Sequence, residues 1–358
     1  MSVCIAFCTV TGLAPYLAIN SRLERTFAPG GAVEIQERSS STILCVLLLF
    51  MNSNSSTIVE TRPVLSVRTG LWWGFVGVVA FSFTVPFTRL AVEGLSPLFV
   101  GSARAVIAAL LASIALVATR QHLPNMVQWR RLAIVAGGTV LGFPLLTSYA
   151  LTTAPASHGA IVIALLPAAT AIMVVLRTKE RPAPSFWIFA ILGAVAAVFF
   201  AGLQGSGFGN LTWSDLLLFG AVLAAAVGYA EGGLLARELG AWQTVSWALV
   251  LAAPLMMALA IVAVIDQPQT GTPLQWMAFI YLGVVSLFLG FFAWYRGLAI
   301  GPMTQVSQVQ LAQPVMSILW AGLILHEVLT WQTLAGGVAV ILCAGLAVRA
   351  RLFKKGAR

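Results

Sequence analysis

Two stretches of the chain, LPAATAIMVVLRTKE at residues 166–180 and QPVMSILWAGLILHE at residues 313–327, share one pattern. In each stretch a proline lies 13 positions before a glutamate, and an offset of 147 residues carries Pro167 onto Pro314. Further upstream, glycines repeat at an offset of 146, so the two halves align over a long stretch with a shift of only one residue. Self-similarity at a fixed offset indicates that the chain contains two homologous units.

The composition excludes a water-soluble fold. Of the 358 residues, 59 % are hydrophobic and 9 % are charged, and the mean hydropathy is +0.95, whereas soluble domains carry about 25 % charged residues. A bilayer offers no water to backbone groups, so the spanning elements must be helices or a closed barrel, and apolar runs of ~20 residues select helices. We therefore predict an all-α polytopic membrane protein.

Ten apolar runs are long enough to be transmembrane helices. They lie at roughly residues 69–89, 97–118, 132–153, 156–176, 185–203, 214–236, 243–264, 275–295, 303–325 and 331–348. With a cytoplasmic N-terminus, the basic residues collect in the inside loops and the tail, while the outside loops hold only Arg89. This asymmetry predicts that both termini are cytoplasmic and that the protein lies in the cell (inner) membrane. It also explains the net charge of +9 without any nucleic-acid partner.

Topology and duplication together predict an inverted pair of repeats. We place the first repeat at residues 67–204 and the second at 211–350, followed by a basic cytoplasmic tail at 351–358. Because each repeat has five helices, an odd number, the second repeat enters the membrane from the opposite side. Two inverted repeats offer two similar packings, each open to one side, and alternating access requires such a pair of states.

Residues 1–66 belong to neither repeat. Their apolar run, Thr42 to Met51, has about half of the ~20 residues that a transmembrane helix needs. The residues around the run do not fit a signal peptide, which has basic residues before it and a small-residue cleavage site after it. We expect either a disordered extension or a true start at Met51.

The paired prolines are the first candidates for the substrate path. Pro167 and Pro314 fall near the middle of the fourth and ninth predicted helices. A proline inside a helix removes one amide donor and frees the carbonyl four residues earlier, here those of Ile163 and Gln310. Single prolines are tolerated in membrane helices for other reasons, but matched positions in both repeats favour a substrate path.

The ninth predicted helix also has a polar face. Gln310, Gln313 and Ser317 are spaced at i, i+3 and i+7, so they share one side of a helix. This face predicts contact with water or substrate. Hydrogen bonding between helices is the alternative, and the sequence does not separate the two.

Two charged residues lie within predicted spans. Arg104 is seven residues into the second helix, where it either reaches the outer headgroups or faces the cavity and contacts an anion or a carboxylate. Glu231 is in the sixth helix, where it is either a proton or cation site or an interfacial carboxylate paired with Arg237. At ~1.5 Å per residue in a ~30 Å core, the two lie about 11 Å apart in depth, too far to pair directly.

Aromatic residues complete the set of substrate-path candidates, although such residues near helix ends also form the interfacial belt. The candidates are Tyr149, Tyr229, Tyr281, Trp294 and Tyr295. His158 opens the fourth helix, where we expect it to be solvated rather than to act as a gate. The cysteine and histidine spacings predict no metal site, and nothing in the sequence predicts a cofactor.

The chain resembles the drug/metabolite transporter superfamily, specifically the ten-helix EamA-type permeases. The resemblance covers residues 70–350 and rests on three residue pairs and on the glycines of the fifth and tenth helices. The pairs are Pro97 with Arg104, Pro167 with Glu180 and Pro314 with Glu327. It implies a cavity between helices one to four and six to nine. The matching glycines of the fifth and tenth helices predict close helix packing, so we expect these two helices to be scaffold. The resemblance also implies that small metabolites such as amino acids, amines or drugs are exported.

We therefore predict a secondary transporter of small metabolites that works by alternating access. The sequence contains no Walker-type phosphate loop, so it does not indicate ATP coupling within this chain. The small-molecule substrate and the lipid bilayer are its predicted partners, and the sequence leaves open protons as coupling ion and a homodimer. A channel or a non-transporting membrane scaffold is the alternative. An intramembrane enzyme is a weaker one, because His122, His158 and His326 lie at loops or helix ends.

Overall fold

The computed structural model describes residues 67–178, 184–204, 212–300, 306 and 309–353. This part of the chain folds into helices and connecting turns, without a strand. Seven of its helices are long and apolar enough to cross a bilayer, and three further apolar helices are shorter. The predicted class, an all-helical multi-pass membrane protein, is confirmed at this level, while ten spans and their inversion stay predictions. The expectations for residues 1–66, the start at Met51 and residues 354–358 lie outside the described residues.

We number the helices in chain order and treat an interrupted helix as one element. They are α1 (Val67–Ser82 and Thr84–Val92), α2 (Pro97–Ala118), α3 (Met126–Val135, a π-helical segment Ala136–Gly142, and Phe143–Ala150), α4 (Ala156–Ile163 and Leu166–Thr178), α5 (Pro184–Gln204), α6 (Trp213–Leu239), α7 (Ala241–Asp266), α8 (Pro273–Tyr281, a π-helical segment Leu282–Gly290, and Phe291–Ile300), α9 (Ala312–Ile324) and α10 (Trp331–Phe353).

Prolines account for interruptions in α1 and α4. Helix α1 breaks at Phe83, three residues before Pro86, and α4 breaks just before Pro167. A proline cannot donate to the helix ladder and its ring crowds the preceding turn, so the helix bends or restarts there. In α9 the corresponding Pro314 is in the first turn, and the Gln310 carbonyl accepts the Gln313 amide at 3.0 Å. The prediction that the Gln310 carbonyl is free is therefore wrong, because it accepts a hydrogen bond within a short turn.

Helices α3 and α8 each contain a π-helical segment, at Ala136–Gly142 and Leu282–Gly290. The 147-residue offset carries the first segment into the second, so this local distortion recurs at matching places in the two halves. A π-helical turn inserts a residue into the helix and often marks a functional site. The recurrence was not visible from apolar periodicity.

Helix α3 begins earlier than its apolar run. The run starts at residue 132, but the helix starts at Met126, after a capping box in which Asn125 and Gln128 exchange two bonds of 2.9 Å. Reciprocal capping satisfies amide donors that would otherwise have no partner. The polar first turns of a helix therefore extend it beyond the apolar segment that hydropathy detects.

The packing of helices follows one pattern throughout the described part. Helix α1 packs against α8, α2 against α7, α3 against α6, α4 against α9 and α5 against α10. If each helix is replaced by its counterpart in the other half (α1 by α6, α2 by α7 and so on), the α1–α8 pair becomes the α3–α6 pair. The other three pairs remain the same. Two repeats related by a twofold axis produce this arrangement. Helices α5 and α10 pair with each other, which fits their predicted role as scaffold.

Candidate functional site

Two adjoining cavities lie among the helices of the two halves. The first, here called the central cavity, is lined by Phe81, Thr84, Arg104, Phe143, Pro144, Tyr229, Ser286, Leu287, Phe291 and Gln313. The second, the proline cavity, is lined by Val85, Ala160, Ile163, Leu166, Pro167, Gln310, Gln313, Pro314 and Ser317. Gln313 belongs to both. Each cavity is narrow, with room for little more than one or two water molecules.

Helices α1 to α4 and α6, α8 and α9 supply these lining residues, and α5 and α10 supply none of them. The walls of the central cavity are mainly aromatic, with a few polar groups among them. An apolar pocket with a small number of placed polar groups is the usual form of a small-molecule site. The two cavities are therefore the candidate substrate path.

Arg104 reaches the central cavity from α2 and is buried, with 2 % of its surface exposed. Its guanidinium donates to the Pro144 carbonyl at 2.7 Å and to the hydroxyls of Thr88 and Thr147 at 3.3 Å each. The side chain therefore faces the interior between α1, α2 and α3, and does not extend to the headgroups. Among the described residues, no carboxylate forms an ion pair with it.

Several buried polar atoms that line the cavities have no hydrogen-bond partner in the described structure. They are Nε of Arg104, Nε2 of Gln310 and Oε1 of Gln313. Buried polar groups in proteins are almost always satisfied, and an exception needs a reason. Two donors and one acceptor on residues that line the cavities provide unused binding capacity for a polar solute.

The third residue of the predicted polar face has a protein partner. The Ser317 hydroxyl donates to the Ser82 carbonyl at 2.7 Å, and Trp320 Nε1 donates to the Ser82 hydroxyl at 3.0 Å. Pro86 cannot supply the amide that would normally bind this carbonyl, so α9 supplies a hydroxyl. Of the two predicted roles of the face, Ser317 makes an interhelical bond, whereas Gln310 and Gln313 face the cavities.

The aromatic candidates divide into groups. Tyr229 lines the central cavity, and Tyr295 packs behind its wall against Phe291, with ring centroids 5.6 Å apart. Trp294 is buried at 2 % exposure and lines neither cavity. The hydroxyl of Tyr281 donates to the Ala80 carbonyl at 3.1 Å, which ties α8 to α1.

Tyr149 lies apart from the other aromatic candidates. It ends α3 with 43 % of its surface exposed and lines neither cavity. Its position matches the interfacial belt that the sequence offered as the alternative.

Glu231 lies away from the cavities in an ion-pair network. Its carboxylate is buried on α6 and accepts bonds from Arg131 Nε of α3 and, at 2.7 Å, from Arg177 Nε of α4. Arg131 also binds Glu238, about two helix turns further along α6. The sequence suggested a partner on the same helix, Arg237, but the observed partners come from two other helices. The network joins α3 and α4 to α6 at what we call the inner end, following the predicted topology.

A second polar contact joins α4 to α6 at the opposite, outer end. His158 Nε2 lies 2.7 Å from Asp215 Oδ1, and both residues are buried. The other oxygen of Asp215 accepts the Thr212 amide at 2.8 Å and the Thr212 hydroxyl at 2.7 Å. The expectation that His158 is solvated is wrong, because α6 covers it. Asp215 is part of the first turn of α6.

Two further contacts hold the outer end. The Glu327 carboxylate accepts the amides of Ala156 and Ser157 at 2.6 and 2.9 Å, so it caps the start of α4. Arg89 on α1 donates to two carbonyls just after α3, those of Leu151 and Thr152, at 2.8 Å each. Sequence reasoning did not find this cap, because the partner amides lie 171 and 170 residues away along the chain.

Comparisons with known proteins identify a transporter family and two relatives that are named as transporters. The model of the EamA-like transporter family matches twice, at residues 68–202 and 212–349. The chain is 43 % identical over 277 residues to "Uncharacterized transporter YdeK" of Bacillus subtilis (strain 168), covering 77 % of this chain and 96 % of that protein. An "Uncharacterized transporter" of Archaeoglobus fulgidus is 38 % identical over 72 residues, which are 20 % of this chain and 26 % of that protein.

A crystal structure is also similar in fold. It has a TM-score of 0.56 at 19 % sequence identity, and the match covers 78 % of this chain and 98 % of the other. At this identity the similarity concerns the fold alone.

Proposed function

Because the chain belongs to the EamA-like transporter family, we propose that it is a secondary transporter that moves a small metabolite by alternating access between two inverted repeats. The repeats are residues 67–204 and 211–350. Its cargo is a small metabolite such as an amino acid, an amine or a drug, which it exports across the cell membrane. The observation that carries the proposal is the pair of narrow cavities between the repeats, lined by unpartnered polar atoms.

The narrowness of the cavities supports a moving carrier rather than an open pore. A channel needs a continuous wet path, whereas the cavities have room for one or two waters. A metabolite enters such a site only when helices of the two repeats separate. The paired packing of the helices allows this, because a change that opens one side has a counterpart that opens the other.

The polar contacts at the two ends act as gates in this cycle. Glu231 with Arg131 and Arg177 joins the repeats at the inner end, and His158 with Asp215 joins them at the outer end. In this cycle each set closes the path at its own end of the protein. Breaking the inner set while the outer set holds gives the inward-open state, and the reverse gives the outward-open state.

Counterflow in proteoliposomes tests the proposal. Vesicles preloaded with a candidate metabolite are diluted into a trace of the radiolabelled compound, screened over amino acids, amines and drugs. A carrier accumulates label transiently and saturably, a channel equilibrates without overshoot, and a scaffold does neither. Failure of every candidate to show overshoot would contradict the carrier.

Topology is tested separately by single cysteines at Gln121 and Gln267 in a variant that lacks the native cysteines. Gln121 follows α2 and Gln267 follows α7, which correspond in the two repeats. Inversion predicts that an impermeant thiol reagent reaches the two positions from opposite compartments. Labelling of both from one side would exclude inverted repeats.

A further inference from the structure

The charge balance around Arg104 restricts the chemistry of the cargo. Its guanidinium is buried on α2 and lines the central cavity, where its Nε has no hydrogen-bond partner in the described structure. Its other bonds go to a backbone carbonyl and to hydroxyls, all of them neutral. A buried cation is normally paired with a carboxylate, because a neutral shell does not replace the counter-charge.

The acidic groups of the described chain are engaged elsewhere or far from the cavity. Glu231 and Glu238 bind Arg131, Asp215 binds His158, and Glu327 caps α4. Two remain, at the ends of helices: Glu93, which pairs with Arg89, and Asp266, which is exposed at the end of α7. Within the described residues, therefore, no protein carboxylate neutralises Arg104.

The rest of the central cavity indicates what accompanies the anionic group. Phe81, Phe143, Phe291 and Leu287 form apolar walls, which favour an apolar body. Gln313 lines the same space, and its buried Oε1 has no partner in the described structure and needs a donor. A carboxylate that takes the free N–H of Arg104 and carries a hydroxyl or amino group nearby would satisfy both atoms.

We infer that the central cavity binds a small organic carboxylate with an apolar body, whose carboxylate pairs with Arg104 and whose hydroxyl or amino group donates to Gln313. This inference rests on the proposed transport function and selects one class among its candidate cargoes. Amines without an acid group are excluded as the preferred cargo, because they would place a second cation beside Arg104.

The test compares solutes that share one body and differ only in the charged group. Purified protein in detergent is heated with 3-phenylpropionate, 3-phenylpropylamine or 3-phenylpropanol, and with the smaller set butyrate, butylamine and butanol. The inference predicts that a carboxylate of at least one size raises Tm by ~2 °C or more while the matched amine and alcohol do not. An equal shift with an amine or alcohol, or no shift with either carboxylate, would overturn it.

Variants connect the shift to the named residues. Arg104→Gln should abolish the carboxylate shift, Arg104→Lys should retain part of it, and Arg130→Gln, which removes an exposed arginine of α3, should leave it unchanged.

If Arg104→Gln does not fold, Gln313→Leu provides a second test. Wild-type protein should prefer 3-phenyllactate, which adds a hydroxyl to 3-phenylpropionate, and Gln313→Leu should lose that preference. A carboxylate shift that survives Arg104→Gln, or a hydroxyl preference that survives Gln313→Leu, contradicts the site.

Counterflow separates failure of this inference from failure of the proposed function. Overshoot with amines but not with carboxylates would leave the carrier intact and reject the anion site. Overshoot with carboxylates in wild type and its loss in Arg104→Gln, with normal folding, would support both.

Discussion

Replacement of Glu231 by glutamine should open the inner end. The substitution keeps the shape of the side chain and removes the charge that joins α6 to Arg131 and Arg177. If the inner network breaks whenever the protein opens inward, the variant should spend more of its time open to the cytoplasm. Glu238 provides a matched control, since it lies on the same helix and binds the same Arg131.

The size of the effect follows from burial. The Glu231 side chain is 4 % exposed and Arg131 is 16 % exposed, so this pair is largely removed from water. Breaking a buried pair by removing one partner costs ~3–5 kcal/mol, whereas exposed pairs are worth ~0–1 kcal/mol. Arg177 is 54 % exposed and contributes little. We therefore expect Glu231→Gln to weaken the inner-closed state by about 2–4 kcal/mol, and at ~1.4 kcal/mol per tenfold the open population rises ~30-fold or more.

The assay measures access to the central cavity from the inner side. A cysteine is placed at Leu287, which lines the cavity, in a variant without the native cysteines, and inside-out vesicles are treated with an impermeant thiol reagent. Glu231→Gln should increase the labelling rate at least tenfold. Glu238→Gln, whose carboxylate is 51 % exposed, should change it less than threefold. Equal rates in the two variants, or faster labelling from the outer side, would refute the gate.

Three further predictions concern packing and the outer end. Gly138→Ala should reduce stability by ~1–3 kcal/mol in thermal unfolding, because an added methyl would lie 2.9 Å from a backbone nitrogen of α6. Gly137→Ala is its control and should be neutral, since that position has nothing within 4 Å. In a double-mutant cycle, His158→Gln and Asp215→Asn should show a coupling of ~1–3 kcal/mol in unfolding free energy, and additive effects would argue against their bond. Glu327→Gln should cost ~1–2 kcal/mol by weakening the cap of α4, and unchanged Tm would contradict this.

The sequence predicted the parts of the fold that depend on local pattern. Apolar runs located the helices, and the paired prolines located the break in α4, because a missing amide acts within one turn. The interruption of α1 could have been read in the same way from Pro86. The π-helical segments could not, since they carry no change in apolar periodicity.

Partners of charged residues were less predictable than their positions. Glu231 and Arg104 were identified as charges within predicted spans, but their partners Arg131, Arg177 and Pro144 lie 40 to 100 residues away from them along the chain. A helix periodicity indicates which face a residue occupies, and it does not indicate which helix covers that face. Asp215 had one readable signal, its place three residues after Thr212, which is typical of a helix start.

Helix α6 links the two ends of the candidate transport path. It is an uninterrupted helix of 27 residues, tied to α4 through Asp215 near its beginning and to α3 and α4 through Glu231 nearer its end. Between these ties α6 closely approaches α3, where Gly228 lies beside Gly138 and Thr139. A helix without an internal proline tilts about such a contact more easily than it kinks, because a sharp kink would break its own hydrogen bonds. Release of the inner tie should therefore tilt α6 about the glycine contact and alter the strain on the outer tie. This makes the effects of Glu231→Gln and His158→Gln non-additive in the labelling assay, although the two residues do not touch.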